Sequence, residues 1–123
     1  MRGEADAVLV DAPCSGTGTW RRNPEARWRL TPEDLERFTR TQARLLEIAS
    51  ELVRPGGRLI YVVCSLLDGE GADQIASFVT GHPGWRDEPS ALPFGTPRGT
   101  GIRLTPFHDG TDGFFIARLE KAC

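Results

Sequence analysis

The sequence is nearly without lysine. Lys121 is the only one, so almost all of the positive charge is arginine. Strong basicity is missing as well: 15 basic residues stand against 17 acidic ones for a formal net charge of −2, so the chain as a whole is no electrostatic magnet for nucleic acid. No apolar run approaches the roughly 20 residues that span a bilayer, and the opening Met-Arg-Gly-Glu-Ala-Asp has no signal-peptide core. The expectation is a cytoplasmic chain with no membrane partner. Three cysteines without an export signal make no disulfide framework. The two histidines, His82 and His108, have no metal-ligand spacing, so no metal is assigned.

What is present is the composition of a globular chain, 39% hydrophobic and 26% charged, and 123 residues suit one domain. Ala7-Val8-Leu9-Val10-Asp11 is a short β-branched run ending on an acid, and it reads as a buried strand of a parallel sheet. Thr31-Pro32-Glu33-Asp34 opens a helix with a hydroxyl N-cap, a proline in the first turn and acids facing the dipole. Leu35, Phe38, Leu45, Ala49, Leu52 and Val53 fall near a 3.6-residue period and form one core-facing stripe, which Pro55-Gly56-Gly57 ends. Arg58 to Cys64 reads as a central strand, apolar on both faces after its first residue. A second helix is expected near Gly71 to Thr80 with Ile75, Ala76 and Val79 inward. Trp85 to Pro97 is a proline-punctuated passage with one weak strand, and Ile102 to Thr105 suggests another. Phe114 to Glu120 is the last strand, after the turn Asp109-Gly110-Thr111-Asp112-Gly113. The order predicts an α/β sheet with two parallel neighbours, helices on its faces and an antiparallel edge from the terminal strands.

Ligands of open parallel sheets bind beyond the carboxyl ends of the strands, where Asp11-Ala12-Pro13-Cys14 and Val63-Cys64-Ser65 lie. Neighbouring strands run about 4.8 Å apart, so one carboxylate and two thiols can share a pocket. Singly, each has a plainer explanation. A cysteine at a strand end is often a small buried hydrophobe, and an acid there often caps the next loop. Gly16-Thr17-Gly18 lacks the lysine and spacing of a phosphate loop and reads as a tight turn. Arg21, Arg22, Arg27 and Arg29 crowd the stretch after Cys14, where guanidinium forks could track an RNA backbone; a solvated loop is the alternative.

Together these residues form a pattern. Asp-Ala-Pro-Cys-Ser-Gly-Thr-Gly, followed by Arg21-Arg22-Asn23-Pro24-Glu25 and Trp28, resembles motif IV of the Sun family of RNA cytosine-5 methyltransferases. Leu59-Ile60-Tyr61-Val62-Val63-Cys64-Ser65-Leu66 resembles its motif VI, and Asp112-Gly113-Phe114-Phe115 its closing strand. The resemblance implies a partial Rossmann-like class I methyltransferase fold: residues 1–123 would be the carboxyl-terminal part of the catalytic domain, without the cofactor-binding amino-terminal half. It implies Cys64 as the nucleophile, Cys14 as the residue that helps release the product, and Asp11 as the contact to both the base and S-adenosylmethionine. Glu70, at the family's usual distance after Cys64, would shape the thiol's loop. Two departures touch support more than chemistry: Val63 replaces a usual threonine and Gly71 a usual asparagine. The implied partner is RNA, ribosomal RNA by family habit, with little activity expected of this chain alone. An unpaired edge on the first strand would favour self-association. A catalytically dead half-domain kept for RNA binding or assembly is the second reading.

Overall fold

The structure is a computed structural model that describes residues 3–17, 30–87, 96–99, 101–104 and 113–122. In chain order it contains β1 (Ala5–Asp11), α1 (Pro32–Leu52), β2 (Val53–Val63), a short 3-10 turn (Asp68–Glu70), α2 (Ala72–Gly81), β3 (Trp85–Asp87), β4 (Thr96–Arg98), β5 (Gly101–Leu104) and β6 (Phe114–Lys121).

The start of α1 follows the local chemistry. The Thr31 hydroxyl accepts from the Asp34 N–H at 3.1 Å, and the Asp34 carboxylate accepts from the Thr31 N–H at 3.2 Å, a reciprocal capping box. These bonds, with that of Arg37, hold the Asp34 carboxyl below its ordinary range. The other end of α1 has no basic residue of its own. Lys121 arrives there from β6, and its ammonium donates to the carbonyls of Ser50 (3.2 Å) and Val53 (2.9 Å). The only lysine of the sequence thus satisfies backbone acceptors that a helix terminus leaves open.

The strands form one sheet of order β1-β2-β6-β5-β4, with β3 also paired to β6. β1 and β2 are parallel, as their β-branched runs and the intervening helix predict; every other pairing is antiparallel. The antiparallel part is more than an edge. β6 lies directly against β2 in the middle of the sheet, because the last strand returns beside the most apolar one.

Leu59, Tyr61 and Val63 of β2 pair with Leu119, Ala117 and Phe115 of β6, and all six are buried on one face. Leu46 and Ala49 of α1, Ile75 and Phe78 of α2, and Trp85 complete that core. The intervening residues Ile60 and Val62 are half-buried, so β2 alternates where uniform burial was expected. Both described helices pack on the same face of the sheet, and this produces the alternation.

Three further expectations change. β1 is not a buried strand: only Val10 is buried and Leu9 is 64% exposed, because β1 is the terminal strand among the described residues. α1 ends at Leu52, and Pro55-Gly56-Gly57 belongs to β2, where Ala5 pairs with Val53 and Ala7 with Arg58 across an irregularity. Glycine is required there: Gly56 has φ +82°, and a Cβ on Gly57 would lie 2.6 Å from a Val53 methyl. In α2 the buried residues are Gln74, Ile75 and Phe78, while Ala76 faces outward.

Candidate active site

β1 and β2 run side by side to the same rim. Asp11 pairs with Val62, and the Ala12 N–H continues the ladder to the Val62 carbonyl at 3.1 Å. The chain then turns through Pro13 to Cys14 on one side and through Cys64 to Ser65 on the other. The two sulfurs lie 3.6 Å apart, in hydrogen-bonding contact and half-buried.

A single carboxylate ties the two loops together. Glu70 is 1% exposed and accepts from four donors. Its Oε1 receives the Ser15 hydroxyl at 2.5 Å and the Ser65 hydroxyl at 2.6 Å; its Oε2 receives the Ser15 N–H at 2.8 Å and the Gln42 amide at 3.0 Å. Ser15 follows Cys14 and Ser65 follows Cys64, so each thiol has a neighbour bound to the same oxygen. These four hydrogen bonds repay the burial of the carboxylate.

A second layer holds the first. Gln42 also donates to the Pro13 carbonyl at 2.9 Å, and its own oxygen accepts from Gln74 at 3.2 Å. The buried Tyr61 hydroxyl donates to the Glu70 carbonyl at 2.7 Å. Burial first, then the charge of Glu70, pushes the Tyr61 hydroxyl well above the ordinary phenol range, so it remains a donor. The Thr17 hydroxyl donates to Ser65 (3.2 Å) and accepts the Leu66 N–H (2.8 Å), closing the loop after Cys64.

Burial pushes the Cys14 thiol up to about 12, a backbone bond at Gly16 opposes this, and the nearby Cys64 and Glu70 add to it. Cys14 therefore keeps its proton at neutral pH, the direction expected for a desolvated thiol near negative charge.

Asp11 stands at the same strand end with its side chain exposed, and its carboxylate has no hydrogen bond or ion pair among the described residues. It borders a shallow apolar groove of Val8, Leu9 and Val10 against Leu45, Ile48 and Leu52 of α1. Arg21, Arg22 and Arg27, the expected RNA contacts, lie outside the described residues, as do Arg29, His108 and the Asp109–Asp112 turn. Among the described residues no three potential ligands cluster around a metal position.

Sequence reasoning missed Gln42, Ser15, Ser65 and Tyr61. One signal for Gln42 was present: it fills the gap between Phe38 and Leu45 on the apolar stripe of α1, where a polar residue needs a buried partner. The serines had none, being short polar residues in turns.

Residues 1–120 match the family model described as 16S rRNA methyltransferase RsmB/F. The ribosomal RNA small subunit methyltransferase B of Thermus thermophilus is 45% identical over 118 residues, covering 95% of this chain and 29% of that protein. Among solved structures, NSun6 from Pyrococcus horikoshii with SFG superposes at a TM-score of 0.81 and 29% identity, over 94% of this chain and 29% of that one. A methyltransferase homolog protein from the same organism superposes at 0.79 with 33% identity, over 96% and 39% respectively. The chain spans between 26% and 29% of the length of the curated relatives it matches.

Proposed function

The chain belongs to the RsmB/F family of 16S rRNA methyltransferases, and from that premise we propose that it is the carboxyl-terminal part of a catalytic domain that methylates C5 of a cytosine in ribosomal RNA. Its sheet is part of a Rossmann-like methyltransferase fold. The observation that carries the reading is the pair of sulfurs 3.6 Å apart at the carboxyl rim of two parallel strands.

C5 of cytosine is a poor nucleophile. Addition of the Cys64 sulfur at C6 enriches C5 until it attacks an electrophilic methyl group. A carboxylate near N3 and the exocyclic amine stabilises the charge that develops on the ring, the role proposed for Asp11. A base, solvent included, then takes the C5 proton and the C6–sulfur bond breaks. Cys14 retains its proton, so it suits hydrogen bonding to the departing Cys64 sulfur more than attack. Glu70 positions both sulfurs through the two serines.

S-adenosylmethionine would supply the methyl group. Support comes from the family and from a structural relative solved with SFG, an analogue of that donor. Among the described residues the fit is partial: Asp11 offers an unpartnered carboxylate beside an apolar groove, suited to a donor's polar end and its body.

The test uses RNA containing 5-fluorocytosine, which cannot lose a proton from C5. The chain, alone and grafted in place of the matching segment of the Thermus thermophilus relative, is incubated with this RNA and S-adenosylmethionine. A covalent protein–RNA adduct that vanishes in Cys64→Ala is expected from the graft. Retention of RNA on a filter without any adduct would instead favour a binding module.

A further inference from the structure

We infer that Cys14 and Cys64 form an oxidisable dithiol, which a peroxide converts to an intramolecular disulfide. Four features of the fold support this. The sulfurs are already 3.6 Å apart, and a disulfide requires closure to about 2.05 Å, a movement within the reach of side-chain rotation. The thiols leave adjacent parallel strands, whose spacing of about 4.8 Å lies inside the backbone separation that a disulfide bridges. The loops cannot drift apart, because Ser15 and Ser65 are bound to one oxygen of the buried Glu70. Both sulfurs are half-buried, which admits a small oxidant.

The steps balance. The Cys64 thiolate attacks one oxygen of hydrogen peroxide, the O–O bond breaks, and the products are a Cys64 sulfenic acid and hydroxide. The Cys14 sulfur then attacks the Cys64 sulfur; the S–O bond breaks, and the departing hydroxide leaves as water with the Cys14 proton. Burial disfavours the Cys14 thiolate, so the step is written with Cys64 oxidised first; exchanging the two roles gives the same disulfide. Two equivalents of a small thiol return the pair to the reduced form by exchange. With both sulfurs joined, neither can add to a base. That loss of methylation rests on the function proposed above, whereas the disulfide does not.

The experiment uses the full chain carrying Cys123→Ser, so that only the two site cysteines remain. After graded hydrogen peroxide, the chain is denatured, alkylated and weighed intact. The expected product is lighter by two hydrogen atoms, runs as a monomer, carries no alkyl group and regains both alkylation sites after dithiothreitol. Cys14→Ser and Cys64→Ser should each abolish that species. Oxygen atoms added to one sulfur without a cross-link, two thiols that stay alkylatable, or a cross-link found only between chains would each overturn the inference. A parallel adduct assay on the reduced graft separates the two ideas: a disulfide without any RNA adduct leaves this inference standing and removes the catalytic reading.

Discussion

At the scale of single residues, the two cysteines have different predicted phenotypes although they touch. Cys64→Ala should give no adduct with 5-fluorocytosine RNA. Cys14→Ala should still form a covalent complex with ordinary RNA but release it more slowly, by roughly two orders of magnitude, as expected for loss of proton-donor help; gel-resolved adduct accumulation over time measures this. Glu70 acts through its neighbours. Glu70→Ala leaves the Ser15, Ser65 and Gln42 donors buried and unanswered, and about 3 kcal/mol of stability should be lost in a urea titration. Gly71 is a different case. A Cβ there would lie 2.7 Å from the Phe115 ring, so the asparagine usual in the Sun family does not fit this packing. Gly71→Ala should cost about 1–3 kcal/mol by overpacking.

At the scale of elements, the termini of α1 are secured in opposite ways. Its start is written locally, and Thr31→Ala should cost about 1 kcal/mol. Its end depends on Lys121, some seventy residues away in sequence. Lys121→Met keeps the aliphatic stem but strands two carbonyl groups, and about 1 kcal/mol should again be lost. The 3-10 turn and β4 are joined by Arg98, whose guanidinium lies 2.9 Å and 2.5 Å from the Asp68 carboxylate oxygens and holds that carboxyl below its ordinary range. A lowered folded-state value means that this contribution is complete above the unfolded carboxyl range, about pH 4, and is lost as pH falls through the folded value. The difference in urea midpoint between the native chain and Asp68→Asn should therefore be present at neutral pH and absent in acid.

At the scale of the whole molecule, β1 leaves one edge without a described partner, and Leu9 and Ile48 are exposed beside it. Open apolar edges pair with other chains, so concentration-dependent association is expected in gel filtration, and Leu9→Lys should reduce it. A stable monomer at all concentrations would rule this out. Much of this architecture was legible in the sequence. The runs of β-branched residues, the Thr31-Pro32 cap and the glycine-proline punctuation are local properties of the chain, and they were enough for two parallel strands, two helices and a final strand. The approach of Cys14 and Cys64 was legible too, since both follow the carboxyl ends of neighbouring parallel strands. Tertiary structure alone decided the rest. Sequence spacing carries no information on which face of β2 the helices cover, so Ala76 and the alternation in β2 were misread. Nor does it say that β6 inserts beside β2, or that Glu70, Ser15, Ser65 and Gln42 meet, because hydrogen bonds between residues up to 55 positions apart exist only once the sheet has brought them together.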